Sequence, residues 1–261
     1  MACTKFPILG YFGYGLDSND GTLCRLPSPA PGPIGIPATT KKRNEIKYFT
    51  NSEDGWTLTK IDGMPNTSLP SMTKVDVYET RDGREYYTIK EGSYKGKKGS
   101  VISTFKGRII LSATSSHTGP AKIVHNLTKK KIIYDGKTID AFTQNFQQNG
   151  KLDPLPVGIW KIKIADFPHN TGGMYTKYTK YETTWFPIET PVTTDRYIHV
   201  GSMSHGCSTI GVNRVISSET EDPHFNFDTY SKQFSEYTGL YEYLISSRKD
   251  DTYIGIIEVV K

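Results

Sequence analysis

Three cysteines in 261 residues, Cys3, Cys24 and Cys207, are too few and too uneven in number to form a disulfide framework. Cys3 and Cys24 are free to pair in an oxidising compartment, leaving Cys207 as a free thiol; spacing alone does not establish that bond. No apolar run approaches the length of a bilayer-spanning helix. The opening residues MACTKFPILGYFGYGLD lack a basic segment followed by a continuous apolar stretch, so no cleavable secretory leader is expected. A CxxC pair, a phosphate-cradling glycine loop, an acidic metal cluster and an internal repeat are all missing, and neither a cofactor nor a metal is expected. Charge of one sign is scarce as well. The net charge is +5, with a pI near 8.9, and the lysines are spread along the chain. That argues against a nucleic-acid partner and fits attraction to an anionic wall or membrane surface.

Aromatic and turn-forming residues are plentiful: 17 Tyr, 11 Phe and 3 Trp stand among 24 Gly and 15 Pro. With few heptad-like runs, this composition predicts a mainly β protein of short strands, long enough for two domains. Residues 1–45 read as an irregular Pro/Gly-rich arm: LPSPAPGPIGIP at 26–37 disfavours helix and central strand, and Phe6, Tyr11, Phe12 and Tyr14 are expected to dock on the folded body. Residues 46–115 read as a small β domain. Lys74–Tyr78 alternates, Asp82-Gly83 makes a hairpin turn, and Glu85–Ile89 returns. Residues 116–261 read as a second β domain that carries the chemistry.

That chemistry centres on YIHVGSMSHGCSTIG, residues 197–211. Tyr197 and Ile198 lead to His199, and Ser204-His205-Gly206-Cys207 runs into Ser208-Thr209-Ile210, read as a further strand. A thiol is mostly protonated near neutral pH and needs an imidazole or another positive partner to act as a nucleophile. His199, eight positions before Cys207, supplies one. Gly206 admits a substrate carbonyl, and the amides of Gly206 and Cys207 suit an oxyanion. Two other readings stay open: Cys207 as an ordinary buried core residue, and His199, His205 and Cys207 as zinc ligands lacking a fourth at customary spacing. His205 either shares the face of Cys207 or braces the loop through a backbone carbonyl.

The string SHGC after an isolated histidine resembles the signature of the L,D-transpeptidases (YkuD-like catalytic domain), which remodel bacterial peptidoglycan. The resemblance implies a general base at His199, a nucleophile at Cys207, and supporting roles for Ser204, His205 and Gly206. It also implies a YkuD-like β-sandwich with one C-terminal amphipathic helix. Two departures stand out: the family's His-to-Cys interval is roughly twice as long, and Arg or Asn normally replaces Thr209. Short motifs of this kind resemble those of transpeptidase-like toxins delivered between bacteria. Leu155–Ile164, with Pro156 and Gly158 before an alternating strand, is similar to another element of that family, and residues 75–103 loosely resemble an SH3-like barrel module, in which Tyr78, Tyr86, Tyr87 and Tyr94 would hold a glycan or peptide.

The loop after Ile164 and the strand at Thr184–Ile188 are where a cleft would be lined, which makes His169, Asp166, Tyr175 and Trp185 substrate-binding candidates beside Thr209. Asp228–Arg248 reads as a helix capped by Asp228, its aromatic stripe facing the core, with Gly239 marking a close approach or a break. Thr252–Val260 reads as a buried closing strand.

The function expected is cysteine-dependent acyl transfer on peptidoglycan stem peptides, as transpeptidation, D-amino acid exchange or carboxypeptidation. Its site is the periplasm or wall, reached through secretion machinery of the type VI kind and, for a toxin, countered by an immunity protein. The short His-to-Cys interval tilts the expectation toward exchange or cleavage. The rivals are a non-catalytic wall-binding module of the same fold and a cysteine peptidase or amidase, although the latter usually places Cys before His.

Overall fold

The computed structural model describes residues 3–4, 23–24, 41–144, 154–191, 195–214 and 225–261. The proline-rich 26–37 stretch and Phe6, Tyr11, Phe12 and Tyr14 lie outside them. The chain divides into residues 1–39 and residues 40–261. In the first unit β1 (Cys3–Thr4) pairs antiparallel with β2 (Leu23–Cys24), with Cys3 opposite Cys24.

The second unit holds two sheets. The first is assembled from β3 (Lys41–Phe49), β4 (Trp56–Ile61), β5 (Thr67–Pro70), β6 (Lys74–Arg81), β7 (Arg84–Ile89) and β8 (Lys98–Ile102); a separate hairpin of β9 (Thr104–Phe105) and β10 (Arg108–Ile109) precedes its last strand, β11 (Leu111–Ser112). Alternation makes the β6–β7 hairpin amphipathic: Val75, Val77, Tyr87 and Ile89 are buried while their neighbours face outward. Asp82 (φ 52°) and Gly83 (φ 69°) both take positive φ, the two-residue turn whose twist matches the strands. Tyr87, expected among the ligand-facing tyrosines, is instead fully buried and bonded to the Thr59 hydroxyl. The sheet runs β11-β3-β6-β7-β8-β4-β5 and does not close. It is therefore open where a small barrel was expected, because β5 finds only β4 and β11 only β3.

The second sheet consists of β12 (Ala121–Asn126), β13 (Lys131–Tyr134), β14 (Lys137–Gln144), β15 (Gly158–Lys163), β16 (Phe186–Glu189), β17 (Tyr197–Val200), β18 (His205–Ile210) and β19 (Tyr253–Val260). It closes as a barrel in the order β12-β13-β14-β18-β17-β16-β15-β19, and this replaces the expected sandwich. The physical reason lies in the closing strand: β19 pairs antiparallel with β15 on one side and parallel with β12 on the other, leaving no free edges on which two layers would end.

A 3₁₀ turn (Phe227–Tyr230) and α1 (Ser231–Ser235) lead into α2 (Tyr237–Ser246), whose Tyr237, Leu240, Tyr241, Leu244 and Ile245 join the barrel's hydrophobic core as expected. The cap is Asn226, whose side chain accepts the Asp228 N–H, rather than Asp228 itself. The helical segment is interrupted at Glu236, while Gly239 marks a close approach: a β-carbon there would meet the Tyr134 hydroxyl at 3.0 Å. The two sheets are tied together by polar contacts at their junction. Asn51 donates to the Tyr181 hydroxyl (3.2 Å) and accepts from Tyr241 (3.0 Å), and Arg248 reaches Glu91 at 2.9 Å with both side chains buried.

Candidate active site

The site is built on the parallel pair β17–β18, whose register sets Ile198 beside Ser208, His199 beside Thr209 and Val200 beside Ile210. Side chains alternate across a strand, so one face carries Ile198, Val200, Ser208 and Ile210, and the other carries Tyr197, His199, Cys207 and Thr209. The apolar members of the first set belong to the barrel core. Within that core Ser208 Oγ lies 2.9 Å from Nδ1 of His125, fully buried on β12. The second set is the candidate chemical face.

Cys207 is within a strand and not in a loop, and that strand is distorted at this point. On the β14 side Phe142 opposes Thr209 and Gln144 opposes His205, so two steps on one strand span four on the other. A bulge of this kind re-aims side chains. Gly206, just before the cysteine, takes φ 94°, a conformation that L side chains rarely adopt. The buried Ser204 ties the distortion down by donating to the carbonyls of Thr143 (3.0 Å) and Cys207 (3.3 Å). His205 stands at the outer end of β18 with an exposed side chain, and its carbonyl accepts from Arg196 Nη1 (2.8 Å).

Above the face runs a ladder of rings. Phe167 stacks on His169 (4.4 Å between centroids, planes 24° apart), His169 on Trp185 (4.4 Å, 5°) and Trp185 on His199 (4.2 Å, 20°). Asp166 Oδ1 holds His169 Nε2 at 3.1 Å, and Tyr197 meets both His169 and Trp185 edge-on. The structure thus brings Asp166, His169 and Trp185 to the face that carries His199, Cys207 and Thr209. Tyr175 does not join them. It is buried, its hydroxyl contacting Ser202 Oγ (2.9 Å) and accepting the Ser202 N–H (2.8 Å), so it braces the loop between β17 and β18 from inside.

His199 is 6% exposed and held at both nitrogens, Nδ1 2.8 Å from the Val200 carbonyl and Nε2 3.1 Å from Thr209 Oγ1. With Nδ1 donating to that carbonyl, Nε2 keeps the lone pair and receives the threonine hydroxyl. Burial, together with the like charges of His169 and His205, lowers its pKa from 6.5 to about 4, with the Val200 carbonyl opposing, so the ring is neutral near pH 7. No hydrogen bond links it to Cys207. Burial pushes the thiol up, against the Tyr197 backbone and the Arg196 charge, and Asp195 adds to the rise. Tyr197 is pushed up to about 12 by burial and then by the charges of Asp166, Asp195 and Cys207.

A buried, protonated thiol reacts slowly with electrophiles. Iodoacetamide is expected to modify Cys207 more slowly than an unstructured thiol at pH 7.5, with the rate climbing well beyond pH 9, as followed by mass spectrometry of the peptide containing it. Saturating modification at pH 6 would contradict this environment.

Tyr197, Arg196, Ser202 and Thr143 belong to the site and were not picked out from the sequence. Tyr197 was within reach, since two-residue alternation from His199 selects it; the other three act through contacts that no local pattern encodes. Among the described residues no group of three or more His, Cys, Asp or Glu side chains is arranged to hold a metal ion. No family model matches the chain, and no curated protein or solved structure is significantly similar to it.

Proposed function

We propose that the chain is a cysteine-dependent acyltransferase of the L,D-transpeptidase kind acting on peptidoglycan stem peptides. The observation that carries this reading is the shared face of β17 and β18, which holds both Cys207, preceded by Gly206 at positive φ, and the neutral imidazole of His199. In the proposed reaction, the thiol proton passes to His199 Nε2, displacing the Thr209 hydroxyl, as sulfur attacks the carbonyl carbon of the amide before the terminal D-residue. The amides of Gly206 and Cys207 hold the oxyanion. The C–N bond breaks, the imidazolium protonates the departing amine, and a thioester remains. An amine, a free D-amino acid or water then attacks that carbonyl, loses its proton to His199, and releases the thiolate to be reprotonated. Because the thiol rests protonated, His199 acts as a general base during attack, as in serine-based acyl transfer, and no preformed thiolate is required. The stacked rings of Trp185, His169 and Phe167 supply an apolar wall for the stem peptide. The half-buried Tyr78 and Tyr86 of the first sheet, with Tyr94 in the loop between β7 and β8, remain as a surface for wall polymer.

One observation favours a second reading. The His199 lone pair is already taken by Thr209, and the thiol is buried, as in a wall-binding module that keeps the fold without the chemistry. Mass spectrometry of stem tetrapeptides incubated with the protein, with and without a D-amino acid, separates the two. The expected result is loss or replacement of the terminal residue, absent in Cys207→Ala and slowed roughly 10²-fold or more in His199→Ala. Intact substrate with folded protein would overturn the acyltransferase and leave the binding module.

A further inference from the structure

At the junction of the two sheets lies a cavity of about 530 Å³, distinct in its lining from the face that carries Cys207. Its floor is polar and buried. Glu91 accepts from Arg248 Nε (3.1 Å) and Nη2 (2.9 Å) and from the Lys74 backbone N–H (3.1 Å), while Arg248 Nη1 donates to the carbonyls of Ile245 and Ser247. His117 completes the floor, its Nε2 2.8 Å from the Met72 carbonyl and 3.5 Å from Glu91.

The charges around this floor do not cancel. Each carboxylate is already engaged: Glu91 by Arg248, Asp251 by Lys95, and Asp250 by the backbone N–H groups of Thr252 (2.9 Å) and Tyr253 (2.8 Å). Three further lysines, Lys74, Lys90 and Lys249, line the same cavity and make no ion pair among the described residues. Lys74 and Lys90 come from the first sheet, and Lys249 follows α2 on the barrel side. With four lysines and Arg248 against three carboxylates in its lining, the cavity carries an excess of positive charge that concentrates anions.

We propose that this cavity is a binding site for a multiply charged oxyanion, bearing phosphate or carboxylate groups, that spans the two sheets. Lys74, Lys90 and Lys249 take its charge at the rim. His117, at the floor, is held neutral by burial and by Arg248, with Lys74 adding to the effect and Glu91 opposing it; Tyr48 packs edge-on against the ring. A bound anion reverses that balance, so binding draws a proton onto His117 and weakens as pH rises through the imidazole range.

The test is titration calorimetry of the whole chain at low salt with pyrophosphate and, separately, citrate, so that the two arms distinguish phosphate from carboxylate preference. The expected result is saturable one-to-one binding of one or both. Affinity should fall at least tenfold in the triple variant Lys74→Ala, Lys90→Ala, Lys249→Ala and stay unchanged in a control that removes the same charge from the barrel surface, Lys122→Ala, Lys129→Ala, Lys137→Ala. Repeating the titration near pH 6 in buffers of different ionisation enthalpy should reveal net proton uptake, lost in His117→Asn. Absence of saturable binding, or equal weakening in both triple variants, would overturn the site. Binding lost only in the first variant, without proton uptake, would keep the rim and remove the role given to His117.

Discussion

Gly255→Ala is expected to abolish closure of the barrel. A β-carbon at Gly255 would stand 2.0 Å from the carbonyl oxygen of Ala121 and 2.6 Å from its nitrogen, both backbone atoms that cannot swing aside. Relief requires β19 to draw away from β12, and that pairing runs over six register positions from Ala121–Gly255 to Asn126–Val260. The side chains on the inner faces of those strands, Ile123, Ile257 and Val259 among them, are almost fully buried and would be exposed by the movement. The loss should be on the order of 4 kcal/mol or more, a large share of a typical domain's stability. The measurement is a thermal melt followed by near-ultraviolet circular dichroism, with Gly119→Ala as the control. Gly119 has nothing within 4 Å of where its β-carbon would be and no positive φ, so the same substitution there should be neutral or slightly stabilising. A melting temperature for Gly255→Ala within a few degrees of the parent would mean that the strands do not approach as closely as this barrel requires.

The same contact explains why part of the fold was legible in the sequence and part was not. Strands and their turns are written locally: the Asp82-Gly83 and Asp135-Gly136 turns both take paired positive φ, and the alternation around Lys74–Ile89 gives the buried face directly. Closure is not written locally. It depends on a parallel pairing between the first and last strands of the barrel, and a lone glycine in an apolar run carries no mark of the neighbour it admits. The helix face was legible because its three- and four-residue spacing is strong. Its cap was displaced to Asn226, since both Asn226 and Asp228 are good caps and only geometry chooses between them.

The candidate site divides along the same line. That Cys207, His199 and Thr209 would gather could be read from one short stretch, because they lie on two adjacent strands. That Thr209 occupies Nε2 of His199 could not, since it follows from the strand register. His169 and Trp185 could be placed near a cleft by their position in the chain. Their stacking, and the inward turn of Tyr175 toward Ser202, are set by packing among loops that have no period.

Acid should destabilise this protein earlier and more steeply than its carboxylates would. His125, inside the barrel, and His199, beneath the ring ladder, each have a pKa lowered from 6.5 to about 4, chiefly by burial. For His125 the burial is opposed only by the Ala141 backbone, and its Nε2 makes no hydrogen bond. A lowered imidazole pKa means that the unfolded chain binds the proton more readily, so stability is fully present above about pH 6.5 and drains away as pH falls toward 4. On this basis each ring accounts for a loss of about 3 kcal/mol once pH falls well below 4, relative to neutral pH, and His117, shifted in the same direction, adds to the loss. Urea titrations at pH 7.0, 5.5 and 4.5 should therefore give a steeply falling unfolding free energy, with close to two protons taken up on unfolding near pH 5. His125→Asn, which keeps a polar partner for Ser208, should lower that uptake by about one. A free energy flat from pH 7 to 4.5 would show that these rings are better solvated than their burial implies. The proposed chemistry inherits the shift: if His199 is the base, the acid limb of kcat/KM falls near pH 4, where an unperturbed imidazole would put it near 6.5. An acid limb near 6.5 would assign the proton transfer to a group other than His199.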